Sequence, residues 1–385
     1  MTTSKYWNKR ICGLSPYIAG EQPKTCGIIK LNTNENPYPP SPQVLQAIKN
    51  ADTNRLRLYP DPACTKLRNA VAQKYNVGIE NVFAGNGSDE VLAFSFGAFF
   101  ESFDFCPQRA DDNVAPILFP DITYSFYPVY AKLFNIPYKK IPLNDQFCID
   151  TNHYNISCGG IIFPNPNAPT GIALTAKEIV DLAKNKKDNV VIVDEAYNGF
   201  GGESVVPYLQ DNPNLLVVQT MSKNASLAGM RVGYAIGSAE LIEALCRIRD
   251  SFNSYTVDMI AQEAATAAIM SSTYYNEINA KIICTRERLY AEIKALAWTV
   301  LPSKSNFLFM KPEPQSHFSS RCRNSDGHIY ADKIPAVKLF NKLKENNIFV
   351  RHFNNERIND YLRVSIGTDE QIDKFLEVCK KAQSL

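Results

Sequence analysis

The sequence lacks the residue patterns that bind structural metals or build a disulfide framework. Its ten cysteines are scattered without a C-x-x-C pair, and its four histidines lie far apart. Neither arrangement has the spacing of a zinc site or of a small disulfide-rich domain. Free thiols are typical of proteins in a reducing compartment, so we expect a cytoplasmic protein without a bound metal.

An excess of charge and a long apolar segment are also missing. Lys and Arg number 41 against 39 Asp and Glu, a net charge of +2, and no part of the sequence is strongly basic. The longest apolar stretch, Val91 to Phe100, is too short to span a bilayer, and residues 1–7 contain no apolar signal core. We therefore expect neither nucleic acid nor a membrane as a partner.

What the sequence does contain is a set of apolar segments that end directly in polar residues. The segments and the polar residues after them are 160–163 with Asn165 and Asn167, 190–193 with Asp194 and Tyr197, and 215–218 with Ser222 and Lys223. Such runs are typical of buried strands, and open parallel sheets bind their ligands at the carboxyl ends of the strands. One strand-end aspartate is commonly a turn or a helix cap, but three consecutive polar strand ends indicate a site.

The third strand end carries an amine and a guanidinium. Lys223 is the residue type that can bond to the carbonyl carbon of a cofactor, and Arg231 is suited to hold a phosphate. The alternative interpretation is a surface Ser-Lys pair beside a glycine that serves helix packing.

A glycine loop at residues 84–90 precedes an apolar helix start at Val91. The N–H groups of Gly87, Ser88 and Asp89 at the positive end of that helix would suit a phosphate, although ordinary helix capping is an alternative. The loop is not a dinucleotide fingerprint, because no G-x-G-x-x-G follows a strand.

The order of these segments predicts an α/β protein with two domains. Residues 1–48 are interpreted as an N-terminal arm and part of a small domain, and residues 261–385 as the rest of that α+β domain. Residues 49–260 alternate between strand-like and helical patterns, which predicts a large domain with a doubly wound, mostly parallel sheet.

Two further segments complete the organisation. A long helical pattern runs from Asp258 to about Trp298 and is expected to link the two domains. Residues 311–333 are polar and aperiodic, which predicts a surface loop, and they include His317 and His328. Catalytic roles for these two histidines are therefore not expected.

Four motifs make the sequence similar to the fold type I pyridoxal-phosphate aminotransferases. They are GNGSDE from Gly85, NPNAPTG from Asn165, DEAY from Asp194 and SKNASLAGMRVGY from Ser222. The lysine motif together with DEAY is highly specific for this superfamily, and the similarity covers nearly the whole chain. LSPY from Leu14, LNTNENP from Leu31 and LYPDP from Leu58 resemble, within it, the histidinol-phosphate aminotransferases.

The resemblance implies pyridoxal 5'-phosphate as the cofactor and assigns the catalytic roles to Lys223, Asp194 and Tyr197. Lys223 would bond to the cofactor and move protons, Asp194 would keep the pyridine nitrogen protonated, and Tyr197 would hydrogen-bond the ring's phenolic oxygen. The other implied cofactor contacts are phosphate binding by Gly87, Ser88, Asp89, Ser222 and Arg231, ring stacking by Tyr124, and a phosphate contact by Tyr59 across a homodimer interface.

The sequence departs from the family at Ala168. The family usually carries an asparagine directly before Pro-Thr-Gly, where it contacts the ring oxygen. Either Asn167 or Asn165 would replace this contact, or Tyr197 would make it alone.

For the substrate, the resemblance implies that Arg363 and Arg351 meet an anionic group and that Tyr17 and Asn34 complete the pocket. The expected reaction is transamination of L-histidinol phosphate with 2-oxoglutarate, which in the biosynthetic direction uses imidazole-acetol phosphate and glutamate in histidine biosynthesis. An aromatic amino-acid aminotransferase and a threonine-phosphate decarboxylase remain alternatives. A regulator built on the same domain would need a DNA-binding module, which we do not expect here.

Overall fold

The computed structural model describes residues 4–17, 20–23, 27–103, 114–313 and 335–383. The predicted surface loop, apart from residues 311–313, lies outside the described residues, as do His317 and His328. The seven cysteines within the described ranges are all free. In the same ranges, no helix has both the length and the apolar character needed to cross a bilayer.

Helices and strands alternate along most of the chain. The helices are α1 (Lys9–Cys12), α2 (Pro42–Lys49), α3 (Thr65–Tyr75), α4 (Gly87–Phe99), α5 (Tyr127–Leu133), α6 (Ala176–Asn185), α7 (Ala239–Phe252), α8 (Met259–Met270), α9 (Ser272–Ala295), α10 (Pro335–Glu345) and α11 (Asp369–Gln383). The strands are β1 (Ile29–Lys30), β2 (Val82–Gly85), β3 (Ile117–Pro120), β4 (Tyr138–Ile141), β5 (Gly160–Pro164), β6 (Val191–Asp194), β7 (Leu215–Thr220), β8 (Gly233–Gly237), β9 (Thr299–Val300), β10 (Phe307–Lys311), β11 (Ile348–Phe349), β12 (Arg351–His352) and β13 (Leu362–Ser365).

A seven-stranded sheet with the spatial order β2-β8-β7-β6-β5-β3-β4 forms the centre of the molecule. Strand β8 runs antiparallel to both of its neighbours. The other neighbouring pairs are parallel. This confirms the predicted α/β fold with a mostly parallel sheet.

Alternate side chains of the central strands face two different cores. In β7, Leu215 and Val217 belong to the core that includes residues of α3, α6 and α8, whereas Leu216 and Val218 belong to the core with residues of α4, α5 and α7. Both faces of the sheet are covered, which is why these strands are continuous apolar runs. Polar side chains are therefore confined to the strand ends, where a binding site can form.

Two smaller sheets and a third core lie mainly in the C-terminal part. The antiparallel sheet has the order β12-β13-β10-β9, and β1 pairs in parallel with β11. The apolar run at Ile348 is therefore not one strand, because β11 ends at Phe349 and Arg351 begins β12 in a different sheet. Strand β1 ties the N-terminal segment to this region, while the domain boundaries at residues 48 and 260 stay a prediction.

The helical pattern from Asp258 to Trp298 forms two helices rather than one. The break falls at Ser271, between α8 and α9. The Ser271 hydroxyl donates to the carbonyl of Ala267 at 2.7 Å. The same Ser271 hydroxyl accepts a hydrogen bond from the Ser41 hydroxyl at 3.0 Å. A serine that bonds back to the preceding turn bends a helix, and here a tertiary partner holds it in place.

Candidate active site

Two adjoining cavities lie at the carboxyl ends of β5, β6 and β7. Their volumes are about 490 Å³ and about 220 Å³. Both are lined by Thr33, Tyr124, Ala168, Tyr197 and Lys223. The three strand ends singled out in the sequence thus contribute walls to one cleft, although the first does so through Pro164 and Ala168 and not through its asparagines.

Lys223 follows β7 and is held by the N-terminal segment. Its amine donates to the carbonyl of Thr33 at 3.0 Å, and the amide of Asn36 donates to the carbonyl of Lys223 at 3.0 Å. Burial, followed by the positive charge of Arg363, lowers the pKa of the Lys223 amine to about 8. A substantial fraction of this amine is therefore neutral, and nucleophilic, near physiological pH.

Asp194 ends β6 and lines the smaller cavity. Its carboxyl group accepts hydrogen bonds from the Tyr127 hydroxyl at 3.0 Å and from the backbone N–H of Ala196 at 3.1 Å. Within the described part of the chain, no lysine or arginine forms an ion pair with it, and burial raises its pKa to about 7. A buried carboxyl group without a cation is suited to receive an N–H⁺ group of a ligand.

An anion cradle borders the same cavity. Helix α4 begins at Gly87, whose φ of +78° would be strained for other residues, and a Cβ there would lie 2.6 Å from a guanidinium nitrogen of Arg231. Arg231 donates to the Ser222 hydroxyl at 3.3 Å and to the carboxylate of Asp89 at 3.0 Å. The side chain of Asp89 thus orients the arginine and leaves the helix N-terminus to receive an anion.

Tyr124 lines both cavities, and contacts with Asp89 and Tyr127 fix its position. Its hydroxyl donates to Asp89 at 2.6 Å, and its ring packs edge-on against Tyr127 with centroids 5.7 Å apart. Tyr197 also lines both cavities, and its hydroxyl accepts from the Asn34 amide at 2.9 Å. Two aromatic side chains thus line the cavity that Lys223 and Asp194 share.

The NPNAPTG segment brings Ala168, and neither nearby asparagine, to the cavity walls. The Asn167 amide donates to the Ile122 carbonyl at 3.0 Å and to the Thr170 hydroxyl at 3.1 Å, which uses both of its hydrogens. Asn165 exchanges hydrogen bonds with the backbone of Leu174. Both side chains therefore brace the loop, and a contact from either to a ring oxygen has no support in this geometry.

Arg351 and Arg363 both line the larger cavity, together with Tyr17 and Asn34. The two arginines form a directly opposed pair, with Arg351 on β12 and Arg363 on β13. Arg363 donates to the carbonyl of Asn32 at 3.0 Å, while its buried Nε has no hydrogen-bond partner within the described residues. Burial lowers the pKa of Arg363, so this pair is a site that favours a bound anion.

Tyr59 lies outside both cavities. Its side chain is 80% exposed and stacks on Tyr255, with ring centroids 4.5 Å apart. A role for Tyr59 in the cleft therefore needs a second subunit.

Several residues that line the cleft were not predicted from the sequence. They include Thr33, Glu35, Lys140, Thr220 and Phe353. Thr33 and Glu35 belong to the LNTNENP motif, so the motif itself was a signal that the whole segment enters the site. Phe353 follows a short strand without any distinguishing pattern, and the sequence offers no signal for it.

Comparisons with known proteins show the family to which the chain is similar. The model of the family "Aminotransferase class I and II" matches residues 27–378. A histidinol-phosphate aminotransferase of Clostridium botulinum (strain Kyoto / Type A2) is 48% identical over 378 residues, with 98% of each chain covered. The corresponding protein of Clostridium acetobutylicum is 46% identical over 98% of this chain and 99% of its own.

The fold also matches solved structures. The crystal structure of histidinol-phosphate aminotransferase from Sinorhizobium meliloti in complex with pyridoxal-5'-phosphate superimposes with a TM-score of 0.83 at 22% identity, covering 100% of this chain and 99% of the other. At this level of identity, the likeness concerns the fold.

Proposed function

The chain belongs to the class I and II aminotransferase family, and from that premise we propose that it catalyses transamination between L-histidinol phosphate and 2-oxoglutarate. In the biosynthetic direction it converts imidazole-acetol phosphate and glutamate, a step of histidine biosynthesis. The relatives named above support this substrate through nearly full-length similarity.

The residues present fit pyridoxal phosphate as cofactor. A cofactor phosphate matches the cradle of Ser88, Ser222 and Arg231, with Gly87 beside Arg231 at the start of α4. A protonated pyridine nitrogen matches the buried, uncompensated carboxyl group of Asp194. When bound, the cofactor supplies an electron sink for the negative charge that develops at the substrate's α-carbon. Tyr124 would limit the ring's movement from one side of the cleft.

The remaining chemistry falls to side chains of this chain. Lys223 moves the proton at the substrate's α-carbon, because its lowered pKa leaves a neutral amine available as a base. Asp194 holds the proton on the ring nitrogen, and Tyr197 donates toward the ring's phenolic oxygen. Thr33 provides a carbonyl that accepts the lysine's hydrogen when the amine is not bonded to a ligand.

The observation that carries the substrate assignment is the opposed pair Arg351 and Arg363. Two guanidinium groups facing one cavity provide charge and donors for a phosphate dianion, which a substrate with a single carboxylate would use only in part. The test is a panel of L-histidinol phosphate, phenylalanine, tyrosine and threonine phosphate, each with 2-oxoglutarate. The highest kcat/KM is expected for histidinol phosphate, and a preference for phenylalanine would make the protein an aromatic aminotransferase instead.

We also propose a cytoplasmic homodimer. Exposed apolar side chains at Leu56, Leu58 and Tyr59 meet those at Phe252 and Tyr255 through the Tyr59–Tyr255 stack, which forms a surface suited to a second copy. Mixing inactive Lys223→Ala with Tyr59→Ala should give more activity than the separate proteins, because in a hybrid dimer the Lys223→Ala subunit supplies an intact Tyr59 to the cleft of its partner. A fully active monomer in sedimentation experiments would exclude the dimer.

A further inference from the structure

The buried side chain of Asn34 connects β13 to the hydroxyl of Tyr197. Its amide nitrogen lies 2.9 Å from the Tyr197 oxygen, and its amide oxygen lies 2.9 Å from the hydroxyl of Ser365. The backbone N–H of Asn34 also donates to Ser365 at 2.9 Å, and its carbonyl accepts from Asn306 at 3.0 Å. Asn34 therefore makes four hydrogen bonds, and its backbone is in the left-handed conformation with a φ of 57°.

The hydrogen-bond partners of Ser365 determine which way the Asn34 amide points. The serine hydroxyl has one hydrogen, and it accepts from the backbone N–H of Asn34 while donating to the amide oxygen. If the amide were reversed, that hydrogen would have no acceptor among the contacts of the described residues. The observed orientation satisfies both groups, so the NH₂ group of Asn34 faces Tyr197.

This orientation decides the role of the Tyr197 hydroxyl. An amide NH₂ can only donate, so the Tyr197 oxygen is an acceptor toward Asn34. The single hydrogen of the hydroxyl is left for another partner, and no described residue provides one. Because Tyr197 lines both cavities, this hydrogen is available to a ligand in the cleft.

We propose that Asn34 is a positioning residue that fixes the Tyr197 hydroxyl as a hydrogen-bond donor toward the phenolic oxygen of the bound cofactor. This inference rests on the proposed function. It accounts for a cleft in which Ala168 contributes only a methyl group and Asn167 has no amide hydrogen left. A single hydroxyl carries the contact, so its direction has to be fixed by a neighbour.

The test uses the isosteric variant Asn34→Asp in the cofactor-loaded enzyme. A carboxylate has no hydrogen to donate, so the Tyr197 hydroxyl would turn and donate to it. A donor toward the phenolic oxygen stabilises the anionic form of that oxygen. Loss of this hydrogen bond should move the pH midpoint of the cofactor's visible absorbance change upward by about one pH unit, because one pKa unit corresponds to about the net free energy of one hydrogen bond. Tyr197→Phe should give a shift of similar size.

A double-mutant cycle separates positioning from the added negative charge of the aspartate. If Asn34 acts through Tyr197, Asn34→Asp should produce almost no further shift in the Tyr197→Phe background. Equal shifts of Asn34→Asp in both backgrounds would show a plain charge effect and overturn the proposal, as would the absence of a shift in Tyr197→Phe.

Ser365→Ala provides an uncharged second variant. It removes the partner that orients the amide, so Asn34 can reverse and accept from Tyr197, and an upward shift is again expected; its absence contradicts the proposal. This variant decides the matter if Asn34→Asp fails to fold. A wild-type protein that develops no visible absorbance with pyridoxal phosphate would instead refute the proposed function.

Discussion

Arg351 and Arg363 stand directly opposite each other on the antiparallel strands β12 and β13. Like charges in such a pair destabilise a sheet, by roughly 0.2–1 kcal/mol. The ring of Phe353 lies near both, 5.8 Å from the guanidinium of Arg351 and 5.7 Å from that of Arg363. The arrangement is costly without an anion, which is consistent with its use as a phosphate site.

Removing Arg351 should therefore affect a phosphorylated substrate most. An arginine–phosphate contact in a closed site contributes roughly 2–4 kcal/mol, so Arg351→Ala should lower kcat/KM for histidinol phosphate by about 30- to 1,000-fold. Phenylalanine has no phosphate and should lose much less. Measuring both substrates with one enzyme preparation checks this, and equal losses would argue against the phosphate assignment. Arg363→Ala is expected to damage both reactions.

Phe353 should contribute to the same site without contacting the reacting atoms. Its ring face attracts both guanidinium groups, an effect of roughly 0.5–2 kcal/mol, so Phe353→Leu should raise KM for histidinol phosphate by about 2- to 30-fold. The value of kcat should change little, and Phe353→Tyr should keep a near-normal KM because it retains the ring. A fall in kcat alone would show that Phe353 supports the fold or the chemistry rather than anion binding.

The sequence predicted the parts of the site that lie at strand ends. Asp194 and Lys223 follow apolar runs buried on both faces, so their position at the sheet edge follows from local pattern alone. The residues at the start of α4, beginning with Gly87, were also predicted from a local pattern, because a glycine loop before an apolar helix indicates an anion site.

Relations between distant segments could not be read in this way. The register that opposes Arg351 and Arg363, and the contact of Asn34 with Tyr197 across 163 positions of sequence, depend on how the sheets and the N-terminal segment meet. The split of the predicted long helix at Ser271 likewise depends on its tertiary contact with Ser41. Such contacts leave no periodic trace in the sequence.

The lowered pKa of Lys223 should be visible in the rate of covalent cofactor attachment. Only the neutral amine bonds to the aldehyde, so the rate with cofactor-free protein should rise with pH, with a midpoint near pH 8, and then level off. N-acetyl-lysine measured over the same pH range corrects for the titration of the cofactor itself. A midpoint near the ordinary lysine value of about 10.4 would contradict the assignment. Lys223→Ala should show no attachment, and borohydride reduction should label Lys223 in the wild type.

Asp194 should make the stability of the cofactor-free protein depend on pH. Burial raises its pKa to about 7, whereas in the unfolded chain it ionises near pH 4. Between these values the folded protein holds a proton that the unfolded chain has released, so stability decreases as the pH rises through this window. Asp194→Asn has no such proton to lose.

The cofactor-free Asp194→Asn variant should therefore melt at a higher temperature than wild type at pH 8, and the difference should shrink toward pH 5. Glu195, whose pKa burial also raises to about 7, is present in both proteins, and the substitution removes only the part of its raised pKa that comes from the charge of Asp194, which acts in the same direction. Thermal melts across this range measure the effect, and a difference that stays constant with pH would mean that Asp194 is not the titrating group. With pyridoxal phosphate bound the order should reverse, because the variant loses the charge that holds the pyridine nitrogen's proton and with it part of the cofactor's stabilising free energy.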